Sequence, residues 1–312
     1  MGEIIGVDVG GTKIAAGRVD ELGNILKMAR KPTDTRTADA VVETILDVIA
    51  ELGTDGVEAV GIGAAGFINA DRSTVTFAPN LNWRNQPLGQ RVAEATGLHA
   101  VVENDANAAA WGEFRFGAAR EYNSAAVITV GTGIGGGIIV DGKLLRGASG
   151  FAGEIGHINM VEGGIPCGCG LRGCWEVYSS GGALLRAARK IARQDRERSA
   201  GMLDLAGGDP EAITGLMITQ AAQNGCKGAN DAFAEVGKWL GQGMADLAAL
   251  LDPEAFVLAG GVSEAGEVLL RPARAAFLER VTARDFRPEP PVVLASLGND
   301  AGIIGAADLA RE

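Results

Sequence analysis

The sequence predicts an α/β protein of two similarly built domains, and three observations predict this fold class. The chain has 312 residues, a length that suits two domains. Residues 4–20 and 126–142 each read as an apolar strand, a glycine turn and a second strand. Strand-like and helix-like stretches alternate after both segments, as in sheets that are covered by helices. The repeated opening therefore predicts one α/β unit in each half of the chain.

In the first half, the spacing of apolar residues separates helices from strands. Val41, Ile45 and Val48 recur on one helical face across residues 38–52, whereas residues 57–64 form an apolar run typical of a buried strand. The elements predicted in this half are strands at Ile25–Lys31, Val57–Ala64 and Ala100–Glu103, and helices at 38–52, Leu88–Thr96 and Ala106–Phe114.

In the second half, the longest helical pattern covers residues 230–251. The other elements predicted here are helices at 178–193, 214–223 and 300–311, and strands at Phe256–Ala259 and Val292–Ala295. A proline-rich connector at 287–291 precedes the last of these strands.

Composition and charge exclude several classes of partner. The formal net charge is −11 without a basic patch, so no nucleic-acid partner is expected. The longest apolar run, residues 127–140, is broken by glycine and is too short to span a bilayer, so no membrane partner is expected. The first residues lead into a strand without a signal sequence, and three of the four cysteines are crowded together. A cytoplasmic location is therefore expected.

Residues 154–176 carry the side chains of a four-coordinate zinc site. The four candidate ligands, spaced H-x9-C-x-C-x4-C, are His157, Cys167, Cys169 and Cys174. Chance clustering of free thiols is the alternative, and three cysteines within eight residues disfavour it. Four protein ligands leave no open position, so the predicted zinc is structural. Glu154 and Glu176 flank the array, and a metal that folds this loop also orients both carboxylates.

The first glycine turn, DVGGTK at residues 8–13, is a candidate phosphate site. Gly10 and Gly11 let backbone N–H groups approach an anion, and Thr12 and Lys13 add donors. Asp8 is a candidate ligand for hydrated Mg2+. An ordinary hairpin turn is the alternative. A strand follows the turn rather than a helix, so it is not a P-loop.

The second glycine turn, residues 131–136, fits the pattern G-x-G-x-x-G. A dinucleotide site requires a helix to begin inside that pattern, whereas a strand follows here, so NAD is excluded. A second phosphate-binding hairpin with Thr132 and Gly133 as contacts is predicted instead. Gly260 and Gly261, between a strand and a helix, are candidates to contact adenine or ribose, and a tight turn explains them equally well.

Asn104 and Asp105 follow an apolar strand and precede the helix predicted at 106–114. Aspartate is a favoured N-cap residue, so helix capping is the alternative to catalysis. The carboxyl end of a strand is also where open α/β sheets bind ligands. Asp105 is therefore a candidate catalytic residue on the condition that its carboxylate faces the ligand.

Together these motifs resemble the repressor–ORF–kinase (ROK) family of sugar kinases, within the actin-like and hexokinase-like ATPase superfamily. The resemblance covers nearly the whole chain. Its most specific part is CGCGLRGCWE (167–176) joined to EIGH (154–157). The other motifs that carry it are DVGGTK (8–13), ENDANAAAWGE (103–113), GTGIGGG (131–137) and AGGV (259–262).

The resemblance implies a two-domain actin-like or hexokinase-like ATPase fold, with ribonuclease H-like domains, a cleft between them and a zinc-binding loop. It implies a small N-terminal α/β domain at residues 1–118, on which the C-terminal helix 300–312 packs back. A large α/β domain at 119–299 would carry the zinc loop 154–176. A homo-oligomer, dimer or tetramer, is also implied.

The function implied by the resemblance is ATP-dependent phosphorylation of glucose at the C6 hydroxyl, giving glucose 6-phosphate. Sugar and nucleotide would be the small-molecule partners and Mg2+ a cofactor. Asp105 would take the proton from the C6 hydroxyl, and His157 would use one ring nitrogen for zinc and the other for the sugar. The further residues that the resemblance assigns to the sugar are Asn104, Glu154, Glu176, Gly66 and Asn80.

Other functions stay open. Kinases for N-acetylglucosamine, N-acetylmannosamine, mannose or fructose share nearly every motif, and FRFGA after ENDANAAAWGE favours the glucokinase branch. The family's sugar-responsive repressors carry a winged helix ahead of the first hairpin, whereas here the first strand begins at residue 4. An actin-like ATPase without a sugar site would leave Glu154, His157 and Glu176 without a purpose. Polyphosphate as the phosphoryl donor would favour a row of basic side chains along the cleft, and an acidic chain does not indicate one.

Overall fold

The structure, a computed structural model, describes residues 2–78 and 81–312. Asn80, one of the predicted sugar residues, lies outside these ranges. The chain forms two compact units. Unit 1 consists of residues up to Val127, Gly136–Gly153 and Ala295–Glu312, and unit 2 consists of Ile128–Gly135 and Glu154–Leu294.

Two sheets are built from the first eight strands. These are β1 (Glu3–Val9), β2 (Lys13–Val19), β3 (Ile25–Pro32), β4 (Val57–Ala64), β5 (Phe67–Ile68), β6 (Val75–Ala78), β7 (Trp83–Gln86) and β8 (His99–Asn104). The larger sheet has the order β3-β2-β1-β4-β8, and the smaller one β5-β6-β7. Both β4 and β8 run in parallel with β1, so their carboxyl ends meet at one edge of the larger sheet.

The helices of unit 1 are α1 (Ala38–Leu52), α2 (Leu88–Thr96), α3 (Asp105–Phe116) and, after the helices of unit 2, α10 (Ala301–Leu309). Helix α1 coincides with its predicted bounds because local signals agree at both ends. The Thr37 hydroxyl accepts a hydrogen bond from the Ala40 N–H, and Gly53 ends the helix with a φ of 77°. Its apolar face, which includes Ile45, is buried in the core of unit 1.

Helix α10 lies against β1 and β4 at backbone distance. A Cβ atom at Gly6 would overlap the carbonyl group of Ile303, and one at Gly61 would overlap that of Ala306. Only glycine therefore allows this approach, and the last helix of the chain is part of the core of unit 1.

The second large sheet has the order β11-β10-β9-β12-β13. Its strands are β9 (Ala125–Val130), β10 (Ile134–Val140), β11 (Lys143–Leu144), β12 (Ala255–Ala259) and β13 (Val292–Leu294). The helices of unit 2 are α4 (Glu176–Ser179), α5 (Gly181–Gln194), α6 (Ala200–Leu205), α7 (Gly215–Gln223), α8 (Lys227–Leu251) and α9 (Glu267–Arg280). None of the helices in the described ranges combines the length and apolar character needed to cross a membrane.

The helix predicted around 178–193 is present as α5, but it begins only at Gly181, because Ser180 interrupts the predicted segment. Ser180 has extended backbone angles, φ −86° and ψ 176°, and its hydroxyl caps α5 by accepting from the Ala183 N–H. The small sheet and α6 were not predicted, since their elements are too short to show a period.

The compact units differ from the domains that the resemblance predicts, which are 1–118 and 119–299. Residues 136–153 belong to unit 1 because Ile139 and Leu144 are buried together with Trp111 of α3. The division into domains at residue 118 stays a prediction.

Candidate active site

At the edge of the larger sheet in unit 1 where its parallel strands end, two aspartates lie close together. Asp8 is near the end of β1 and pairs in register with Gly63 of β4, which in turn pairs with Glu103 of β8. Asp105 follows β8 directly as the first residue of α3. At Gly63 a Cβ would lie 3.7 Å from the Asp105 Cα, so the absence of a side chain there leaves room at this edge.

The N-cap of α3 is Asn104 and not Asp105, so the capping role weighed for Asp105 is wrong. The Asn104 Oδ1 accepts from the backbone N–H of Asn107 at 3.0 Å, and its Nδ2 donates to the carbonyl of Gly66 at 3.1 Å. Asp105 accepts from the N–H of Ala106 at 2.9 Å. Asn104 therefore caps the helix, and the Asp105 carboxylate is not needed as a cap.

Burial shifts the acidity of both aspartates. The pKa of Asp8 is raised to about 6 by burial and by the negative charge of Asp105, against the opposing charge of Lys13. Burial also raises the pKa of Asp105, against the bond from the Ala106 N–H. Two half-buried carboxylates beside each other attract a proton or a cation, which is typical of an active site.

We expect Asp8→Asn to stabilise the protein at neutral pH. Because the folded-state pKa of Asp8 is raised, its stabilising contribution is complete below about pH 4 and is lost as the pH rises through about 6. Thermal unfolding from pH 4 to 8 should show a Tm above wild type at pH 7 and a gap that closes toward pH 4. A difference in Tm between the variant and wild type that is the same at every pH would contradict the raised pKa of Asp8 as its cause.

The glycine turn of unit 1 is held by its own backbone and by Thr33. The Gly10 N–H donates to the Lys13 carbonyl at 3.1 Å, and the Thr33 hydroxyl donates to the Gly10 carbonyl at 2.6 Å. The Thr33 N–H also donates to the Thr12 carbonyl. Thr33, which directly follows β3, was missed by the sequence analysis because no local signal marks it.

Gly11 has no structural reason to be glycine. A Cβ there would have no neighbour within 4 Å, and its φ lies outside the left-handed region. The remaining explanation for glycine at position 11 is that a ligand approaches the backbone closely there.

If the turn binds ATP, as the resemblance predicts, we expect Gly11→Ala to leave Tm unchanged and to raise the KM for ATP about 10-fold, as loss of about 1.4 kcal/mol of binding would. Gly215→Ala is the matched control, because a Cβ at Gly215 also meets nothing within 4 Å. Melting curves and ATP titrations check both variants, and equal effects of the two on KM would contradict a ligand contact at Gly11.

The predicted nucleotide residues of unit 2 lie together around the second glycine turn. The Gly131 N–H donates to the Gly133 carbonyl, and the Gly131 carbonyl accepts from the Gly181 N–H at 2.8 Å, at the start of α5. The Val262 N–H donates to Val130 at 3.0 Å, which brings the turn at Gly260 to the same place. This arrangement gathers Thr132, Gly133, Gly260 and Gly261, and adds Gly181, which was not predicted.

The four candidate metal ligands of unit 2 converge. Their ligand atoms all lie within 4.8 Å of one another. The Cys167 Sγ is 3.7 Å from the His157 Nδ1, and the Cys169 Sγ is 3.7 Å from the Cys174 Sγ. Zn–S bonds of about 2.3 Å in a tetrahedron place two sulfurs about 3.8 Å apart, so this donor set fits zinc.

The two nitrogens of His157 face different groups. Nδ1 faces the cysteines, while Nε2 lies 3.9 Å from a carboxylate oxygen of Glu154. Metal ligation through Nδ1 would leave the Nε2 proton pointing toward Glu154.

Glu176 connects the metal cluster with the second glycine turn. Its Oε1 accepts from the Cys167 Sγ at 2.8 Å and lies 3.7 Å from the His157 Nδ1. A Cβ at Gly133 would overlap the other carboxylate oxygen of Glu176. A side chain at position 133 would therefore displace the carboxylate of Glu176, a predicted sugar residue.

Each unit thus assembles its own share of the predicted residues. Unit 1 brings Asp8, Gly66, Asn104 and Asp105 to one sheet edge and its turn, and unit 2 brings Glu154, His157 and Glu176 to the metal cluster. Cys226, half-buried, stands apart from the metal cluster, and His99 is exposed at the start of β8.

Comparison with known proteins shows the same family over the whole chain. The model of the ROK family matches residues 4–312. The glucokinase of Streptomyces coelicolor is 51% identical over 314 aligned residues, which cover 100% of this chain and 98% of that protein.

A crystal structure of a ROK family glucokinase from Streptomyces griseus, in complex with glucose and AMPPNP, is 50% identical. It aligns with a TM-score of 0.91 over 99% of both chains. The xylose repressor of Bacillus subtilis is 30% identical, and the alignment covers 99% of this chain and 77% of the repressor.

Proposed function

This chain belongs to the ROK family, and we propose that it is an ATP-dependent glucokinase that transfers the γ-phosphoryl group of ATP to the C6 hydroxyl of glucose. It is a hexose kinase with the actin-like, hexokinase-like ATPase fold, as the sequence predicted. The observation that carries the proposal is full-length similarity, at 50% identity, to a glucokinase structure that holds both glucose and an ATP analogue.

Asp105 has the properties of the general base that this reaction needs. Its raised pKa makes it a better proton acceptor than an ordinary aspartate, and Asn104 relieves it of helix capping. We assign to it the proton of the C6 hydroxyl. Phosphoryl transfer passes through a loose transition state, so alignment of the attacking oxygen matters as much as proton removal.

The two glycine turns would bind the phosphates of ATP through backbone N–H groups. Gly11 and Gly131 have open space where a side chain would stand, which supports this role. Asp8, whose pKa is raised by burial and by the charge of Asp105, would hold Mg2+. When bound, Mg2+ spreads the negative charge of the phosphates, and Lys13 adds a positive charge at the same turn.

The metal cluster is proposed as structural zinc that positions the sugar residues. His157 belongs to the cluster, and Glu176 touches two of its members, so a metal would fix both side chains together. Glu154, near the His157 Nε2, would share the sugar hydroxyls with them.

Glucose is favoured over other hexoses because the 51% identical relative is a glucokinase. The repressor function is disfavoured, since the xylose repressor matches at only 30% identity. None of the four cysteines forms a disulfide, which supports a cytoplasmic location. A homo-oligomer without nucleic-acid or membrane partners completes the proposal.

A coupled assay across a panel of hexoses, with ATP or polyphosphate as donor, tests this function. The highest kcat/KM is expected for glucose with ATP, and release of glucose 6-phosphate is expected as product. Preference for another hexose would overturn the sugar assignment, and absence of sugar-dependent ATP turnover would overturn the kinase proposal.

A further inference from the structure

Glu103 is a buried carboxylate that lies directly before Asn104 and the proposed base Asp105. Its side chain is 3% exposed, and it is the second-last residue of β8. A buried charge is retained only where partners compensate its lost hydration. All the partners of Glu103 described below belong to unit 1.

One oxygen of Glu103 closes the turn that presents Asp105. The Glu103 Oε1 accepts from the backbone N–H of Asn104 at 3.0 Å and from the Asn107 Nδ2 at 3.1 Å. The Asn107 N–H in turn donates to the Asn104 side chain. Glu103, Asn104 and Asn107 thus form a closed ring of hydrogen bonds, and Asp105 lies within the turn that this ring encloses.

The other oxygen of Glu103 is held by two arginines. The Arg146 Nε donates to the Glu103 Oε2 at 2.7 Å, and the Arg72 Nε lies 3.7 Å from the same oxygen. Arg72 is itself anchored, because its Nη2 donates to the Leu309 carbonyl of α10 at 2.8 Å. A carboxylate of Glu312 lies near both arginines, 3.4 and 3.5 Å away.

We propose that Glu103 is a positioning residue for the glucokinase reaction, which directs the Asp105 carboxylate through the turn at Asn104 and transmits to it the rigidity of the Arg72–Arg146 cluster. This inference rests on the proposed function, in which Asp105 is the base. Misplacing a reacting group by about 1 Å can cost about 100-fold in rate. The ring is therefore a means of holding the base at the distance that transfer requires.

Glu103→Gln tests this role because glutamine cannot satisfy both sets of donors. Both oxygens of Glu103 accept, whereas a glutamine side chain offers one acceptor and one NH2 group. Its NH2 group must face either the donors of the ring or the Arg146 Nε. We expect kcat to fall about 10–100-fold and the KM for glucose to rise, while the KM for ATP stays near wild type.

Glu113→Gln is the matched control at the other end of α3. Glu113 is 0% exposed, and its carboxylate accepts backbone N–H bonds from Ala118, Ser296 and Leu297. This variant should lose thermal stability with little change in the KM for glucose. Arg146→Met is a second test, which keeps the Glu103 carboxylate but removes its donor, and we expect the same kinetic pattern as for Glu103→Gln.

The role is overturned if Glu103→Gln and Arg146→Met keep the wild-type kcat and KM for glucose. It is also overturned if Glu113→Gln, compared at the same loss of Tm as Glu103→Gln, raises the KM for glucose by the same factor. Each variant is compared with wild type on the hexose that wild type prefers. A failure of the proposed function therefore appears in the wild-type assay, before any variant is judged.

Discussion

Asp105→Asn should reduce kcat about 10²–10⁴-fold, the range that a general base contributes, with little loss of glucose binding. Asparagine has the same shape and keeps an oxygen to accept the Ala106 N–H, so the start of α3 is preserved. It cannot take a proton from the C6 hydroxyl. Initial rates for kcat and isothermal titration with glucose for binding separate the two effects, and near-normal turnover would refute the assignment.

Stability should change in the opposite direction from activity. Burial raises the pKa of Asp105, so its ionised form costs stability at neutral pH, and that cost disappears in Asp105→Asn. The Tm at pH 7 should therefore rise while turnover is lost.

Asp308→Asn is the matched control for this substitution. Asp308 is 6% exposed, accepts from the Trp111 Nε1 at 2.8 Å and pairs with Arg115. Removing its charge should lower Tm and leave kcat close to wild type. A simple destabilisation cannot produce the reverse pattern expected at Asp105.

The fold could be predicted where signals are local. Helix α1 has one apolar face, a threonine cap and a terminal glycine within its own sequence, and its predicted bounds agree with the structure. The break at Ser180 depends instead on the bond between the Gly181 N–H and Gly131, which are 50 positions apart, so the periodicity of 178–193 could not show it.

The candidate site divides in the same way. The metal ligands could be predicted because four side chains of one chemistry stand within 18 residues, and the structure brings them together. Thr33 and Glu103 could not, because their partners Gly10, Arg72 and Arg146 come from distant segments. The glycines show a further limit of prediction from sequence. Gly6 and Gly11 look alike in the sequence, but of these two only Gly6 is required by packing.

The metal cluster should control sugar binding as well as stability. Cys174→Ser removes one ligand of the cluster, and we expect loss of bound zinc, a lower Tm and a KM for glucose raised about 10–100-fold, the range for disturbing the support of a metal site. The loop contains the bridges Asn159–Cys174 and Pro166–Arg172, and backbone hydrogen bonds such as that from the Gly173 N–H to the Ile165 carbonyl also connect its parts, so the loss of Tm measures the share of the metal alone. Metal content by atomic absorption, thermal melting and glucose titration measure the three effects.

Cys226→Ser is the matched control, because Cys226 is a half-buried thiol outside the cluster. It should leave metal content, Tm and the KM for glucose near wild type. Treatment of wild type with a chelator should reproduce the Cys174→Ser pattern, and added zinc should restore glucose binding to the chelated protein only. If glucose binding survives when the metal is gone, then the contacts of Glu176 with Cys167 and Gly133 suffice to hold its carboxylate, and the metal is not what positions the sugar residues.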